Sequence, residues 1–169
     1  MKINVGDLRK HPGAEEHFEF VLSDFPSIDG FSFVEPIKVK GKIANTGNVL
    51  ELNVDLETSA LTTCSRCLEE VQIPVKITFA EEYCHAGDWD ILQKQGLEDS
   101  AVIVFDSDFI NIAEAVQENL ILSLPMRTLC KPDCPGFCPQ CGRNLKEGTC
   151  ECRRDNIDPR LAVLAKLKK

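Results

Sequence analysis

The sequence predicts an α+β protein, an antiparallel β-sheet packed against a central helix and followed by a cysteine-rich tail and a short terminal helix. Three observations carry this. Apolar and polar residues alternate at period two between residues 34 and 79, one segment near residue 116 repeats apolar residues every four positions, and the cysteines gather in close pairs. With 169 residues, 43% of them hydrophobic, the chain can bury one core and carry a small appended module. The expected division is a sheet-and-helix body over 1–125 and a cysteine-rich tail over 126–169.

Taken in order, residues 34–44 and 49–58 alternate on either side of Asn45-Thr46-Gly47-Asn48, which reads as a β-hairpin with one buried face. A third alternating run, Val71 to Phe79, follows the Cys64/Cys67 pair, so that pair falls in a connection between strands. Pro74 removes one ladder donor from the third run and predicts an edge or a bulge there. Shorter apolar pieces at His17–Leu22 and Ala101–Phe105 are candidates for further antiparallel strands. Between Glu81 and Asp108 the chain is acidic and turn-rich around its only tryptophan, Trp89, and reads as a solvated loop.

Asn111-Ile112-Ala113-Glu114 fits a capping box, and Ile112, Val116, Leu120 and Leu124 are spaced by four before Pro125. This predicts a helix over about 111–124. At the end of the chain, Asp158-Pro159 would cap an amphipathic helix bearing Leu161, Leu164 and Leu167, with lysines in its last turn.

Eight of the nine cysteines form four close pairs: Cys64/Cys67, Cys130/Cys134, Cys138/Cys141 and Cys150/Cys152. Cys84 is left over. The first residues hold no apolar run of signal-peptide length, and no stretch approaches the roughly 20 apolar residues that span a bilayer. The expected location is cytoplasmic, without a membrane partner, and there reduced, paired thiols are read as metal ligands before disulfides. Cys138-Pro139-Gln140-Cys141-Gly142 has the form of a zinc knuckle, and Cys150-Glu151-Cys152 closes it locally. The remaining pairs, Cys64/Cys67 and Cys130/Cys134, would then form a second site that staples body to tail. The expected cofactor is zinc, one or two ions, in closed sites with a structural role.

Other chemistries fit parts of the same pattern. Cys134, Cys138 and Cys141 have the spacing that ligates a cluster in radical enzymes using S-adenosylmethionine, although this chain is short for their barrel. Four cysteines also suit an iron–sulfur electron carrier. Cys64-Ser65-Arg66-Cys67 has redox spacing, yet it is flanked by strands on both sides rather than followed by a helix. His85 beside Cys84 is a spare-ligand candidate.

Net charge divides the chain. Residues 1–125 carry 9 Lys and Arg against 22 Asp and Glu, while residues 126–169 carry 10 against 5, for −8 in all. An acidic body argues against phosphate binding, and a basic tail argues for it. The candidate RNA contacts are Arg143, Lys146, Arg153, Arg154 and Arg160, with Lys166, Lys168 and Lys169 at the terminus. Phe137 is the only aromatic residue in the tail, so contacts to phosphate are expected rather than stacking on unpaired bases. No glycine-rich phosphate loop or nucleophile with a His/Asp pattern occurs, and His11, His17 and His85 lie outside the tail. Neither an enzyme nor a small-molecule substrate is expected.

Several of these residues carry a resemblance. Cys64-Ser65-Arg66-Cys67-Leu68 after a strand, Cys138-Pro139-Gln140-Cys141-Gly142-Arg143-Asn144-Leu145, the Cys150/Cys152 pair, and Asp158-Pro159-Arg160-Leu161-Ala162 with Leu164 together resemble the YceD family of bacterial and plastid proteins. The resemblance implies a role in accumulation of large-subunit ribosomal RNA, through the 23S precursor or ribosome-assembly proteins, and no known catalytic activity. It places the chain among the metal-rich forms. The competing reading is an acidic, metal-stabilised adaptor for protein interactions, distinguishable because RNA binding weakens steeply with salt.

Overall fold

The computed structural model describes residues 1–23, 25–94 and 101–152. Its strands are β1 (Lys2–Asn4), β2 (Glu15–Leu22), β3 (Ser32–Phe33), β4 (Ile37–Asn45), β5 (Leu50–Thr63), β6 (Glu70–His85), β7 (Val102–Phe105) and β8 (Phe109–Asn111). The α-helices are α1 (Trp89–Lys94) and α2 (Ala113–Ser123). Six strands form one sheet in the order β2-β4-β5-β6-β7, with β3 also on β5, while β1 and β8 form a separate antiparallel pair. No helix among the described residues is long and apolar enough to cross a membrane.

The period-two pattern gives the β4–β5 hairpin its two faces. Ile37, Val39 and Ile43 on β4, and Leu52, Val54 and Leu56 on β5, are fully buried, whereas Lys38, Lys40, Lys42, Asp55 and Glu57 face water. On that outer face acidic and basic residues meet across strands, with Lys40 on Glu19, Lys42 on Glu15 and Lys76 on Glu57. Charge there is largely self-neutralised. Asn45 does not belong to the turn. It pairs with Leu50 as the last residue of β4 and is buried, its Nδ2 donating to the carbonyls of Leu8 and Arg9 at 2.9 and 3.0 Å. Gly41 marks a close approach: a Cβ there would lie 2.2 Å from the Asn53 carbonyl oxygen and 2.7 Å from the ring of Phe18.

The β5–β6 hairpin is the spine of the sheet. Its pairing runs without interruption from Leu50 opposite Tyr83 to Thr63 opposite Glu70, leaving 64–69 as the tip. β7 covers the far side of β6 only from Glu82 to His85, so Pro74, opposite Ser59, lies where β6 is an edge among the described residues.

Three expectations need correction. The sheet is mixed, because β7 runs parallel to β6. A parallel neighbour requires a crossover, α1 lies in the connection between the two strands, and an apolar run carries no sign of strand direction. The acidic stretch from Glu81 to Asp108 is not one loop either: Glu81 and Glu82 lie within β6, Trp89 opens α1, and the Tyr83 hydroxyl donates to Glu81 at 2.6 Å. Finally, the helix begins at Ala113. Asn111 belongs to β8 opposite Lys2, and instead of a capping box its Oδ1 accepts the Ala113 N–H at 3.3 Å. α2 buries Ala115, Val116 and Leu120 in the same hydrophobic cluster as Val54, Phe79 and Tyr83. It packs on the sheet against β6, and truncating Leu120 to alanine would cost about 3 kcal/mol.

Candidate metal centres

The tip of the β5–β6 hairpin is shaped by its own backbone. The Cys64 N–H donates to the Glu69 carbonyl at 2.8 Å, the Leu68 N–H returns to Cys64 at 2.9 Å, and Leu68 takes a left-handed φ of 57°. This turn presents both Cys64 and Cys67 to the chain that follows α2. That chain is tied in by three contacts. Ser65 N–H donates to buried Thr128 at 2.8 Å, and Arg66 Nη1 donates to the Cys134 carbonyl at 2.8 Å. Gly136, at φ 66°, comes so close that a Cβ would lie 2.8 Å from the Arg66 carbonyl oxygen.

These contacts bring Cys130 and Cys134 onto Cys64 and Cys67. The four sulfurs lie within 4.8 Å of one another, with Cys64 Sγ to Cys134 Sγ at 3.8 Å and Cys67 Sγ to Cys130 Sγ at 3.6 Å. A tetrahedron of sulfurs about 2.3 Å from a zinc ion has edges of about 3.8 Å. The spacing therefore fits a tetrathiolate metal site and is far beyond a disulfide bond; all nine cysteines are free thiols. Burial opposes ionisation of Cys64, yet the backbone around Cys130, Arg66 and Cys67 brings its thiol down to about 6. At Cys67 the backbone of Glu69 favours the thiolate, but burial and the neighbouring sulfurs push the thiol up to about 12. Four thiolates this close, three of them buried, would repel one another without a cation, and a divalent ion removes that conflict.

The second quartet, Cys138, Cys141, Cys150 and Cys152, also lies within 4.8 Å and offers the same donors. Its knuckle closes through Cys138 N–H to Arg143 O at 2.8 Å and Gly142 N–H to Cys138 O at 2.9 Å, with Gly142 at φ 72°. The backbone of Cys141 and Gln140 lowers the Cys138 thiol to about 6, while hydrogen bonding with Cys141 and burial push Cys152 up to about 12. Cys138 is buried, Cys150 and Cys152 are half-buried, and Cys141 is exposed.

The two quartets touch. Leu145 N–H donates to Gly136 O at 2.9 Å, and Lys146, from within the knuckle, holds Glu69 at the hairpin tip and Cys130 Sγ at 3.6 Å. Lys146 and Arg143, read as RNA contacts from their charge, thus have partners of their own; Arg143 Nη1 donates to Thr149 O at 3.3 Å. Arg153, Arg154 and Arg160, the terminal lysines and the expected helix over 158–169 lie outside the described residues. Arg66 was not singled out by composition, and only its place inside Cys-x-x-Cys could have drawn attention to it. Cys84 is buried and donates to its neighbour's carbonyl at 3.3 Å, while His85 Nδ1 accepts from Gly87 N–H at 3.0 Å. Neither belongs to a thiolate group among the described residues.

A family model described as large ribosomal RNA subunit accumulation protein YceD matches residues 52–168. The chain belongs to the YceD family. YlbN, an uncharacterized protein of Bacillus subtilis, is 30% identical over 175 residues, covering 100% of this chain and 97% of its own length. An uncharacterized protein of Mycobacterium tuberculosis is 32% identical over 180 residues, covering 99% of this chain and 81% of its own. No solved structure gives a significant match. The YceD match begins within β5 and runs through both cysteine quartets, so hairpin tip and tail fall in one family unit.

Proposed function

We propose that this chain is a non-enzymatic zinc-binding factor that supports accumulation and processing of 23S ribosomal RNA during large-subunit assembly. Membership of the YceD family supplies the role in large-subunit RNA, and the two tetrathiolate quartets supply the metal chemistry. The observation that carries the reading is the joining of hairpin tip to tail by Cys64, Cys67, Cys130 and Cys134. Zinc suits four thiolates without redox change, and closed coordination leaves no site for an activated water. Bound metal would stiffen a short basic tail and present its cations to phosphates of structured RNA or to a ribosome-assembly protein in the cytoplasm. Native mass spectrometry with metal analysis tests the chemistry: two zinc ions per chain are expected, and iron would overturn it. Reversing Arg153 and Arg154 to glutamate tests the tail, with loss of salt-sensitive association with the pre-ribosome as the expected result; unchanged association would remove the tail as the contact surface.

A further inference from the structure

At the end of the sheet away from the two cysteine quartets, β7 has β6 on one side and no strand on the other among the described residues. Edge strands are ordinarily guarded by lysine, proline or a bulge, because open N–H and C=O groups recruit other strands. Val102-Ile103-Val104-Phe105 has none of these guards. Ile103 and Val104 are 42% and 46% exposed, and as neighbours in a strand they point to opposite faces. An added strand would therefore gain backbone hydrogen bonds and apolar contact above and below.

Charge selects the occupant. Glu82, paired with Val102, is exposed, as are Asp90, Asp106 and Asp108, and the side chain of Asp88 is 44% exposed. The cations beside these acids are already partnered: Arg9 lies on Asp88 at 3.7 Å and over the Phe105 ring at 5.9 Å, and Lys10, which feels Asp108, pairs with Asp7 at 2.9 Å; with Lys94 on α1 they are outnumbered by the acidic groups among the described residues. A second copy would set two acidic edges against each other, and nucleic acid would be repelled. We propose that the open edge of β7 binds an extended, lysine- and arginine-rich polypeptide segment as an added β-strand. Residues Glu70 and Glu82 are about 40 Å apart along β6, so this edge is separated from the metal sites and would serve even if the tail bound no RNA.

The full chain is titrated with a fluorescent nine-residue peptide alternating lysine and valine, with the same peptide N-methylated throughout, and with a glutamate–valine counterpart. Anisotropy should show binding of the lysine peptide and at least tenfold weaker binding of the other two. Amide exchange at 102–105 should slow at least tenfold with the lysine peptide, and Asp106→Lys should weaken its binding. Equal binding of the N-methylated peptide would reduce the effect to charge alone and overturn the proposal. So would absence of binding, protection confined to other segments, or amides at 102–105 already slowed in a peptide-free dimer.

Discussion

Cys64, Cys67, Cys130 and Cys134 join segments 63 residues apart between Cys67 and Cys130, and three of the four are buried; Cys138, Cys141, Cys150 and Cys152 come from one short stretch in which only Cys138 is buried. The donors are the same, but the loops they close are not. Closing a long loop removes more freedom from the unfolded chain than closing a short one, and buried ligands carry packing that exposed ligands lack. The first quartet fastens the tail to the sheet, and the second shapes the tail itself.

The largest break in this contrast should come from Cys67→Ser. One metal ion per chain should be lost and the thermal midpoint should fall by about 10 °C or more, as expected for loss of a structural ion. Cys150→Ser should also remove one ion, yet leave the midpoint of the sheet within about 2 °C, since its loop closes locally. Equal losses from both variants in calorimetry would erase the distinction. A smaller effect is expected from Gly136→Ala, which meets the Arg66 carbonyl in a left-handed conformation and should cost about 2 kcal/mol in chemical denaturation. Lys146→Met keeps every thiolate but withdraws the ammonium from Cys130 and Glu69. It should weaken metal binding at the first quartet about tenfold, measured by competition with a chelator, with the second unchanged. A separate test concerns the metal-free chain. Cys64 and Cys138 are lowered from 9.0 to about 6, so the stability they contribute is present above pH 9 and is lost as pH falls to 6. Cys67 and Cys152, raised to about 12, add no slope in that window. A denaturation midpoint that does not rise between pH 6 and 9 would mean that the thiols are not held together before metal arrives.

Much of this arrangement was legible in the residues. Alternation around Asn45-Thr46-Gly47-Asn48 gave the β4–β5 hairpin, though Asn45 ends β4 rather than entering the turn, because a sheet with one wet face writes its period into the chain. The cysteine partition followed from spacing and matches the two groups of sulfurs that come together. What escaped has physical causes. β1 and β8 are three residues each, too short for any period to register. The parallel direction of β7 depends on its crossover and not on Val102–Phe105 themselves. Lys146 looked like a free cation because charge counts do not show that Glu69 and Cys130 will lie beside it.

The unbroken register of β5 against β6 has one more consequence. A slip by one residue anywhere between Leu50 and Thr63 would turn inward-facing side chains outward and shift the tip that carries Cys64 and Cys67. The tail would then find no complete set of thiolates. If the first quartet holds an ion as proposed, its capture would also inspect strand alignment during maturation: a misaligned chain would fail to lock and would declare itself by a loose C-terminal region.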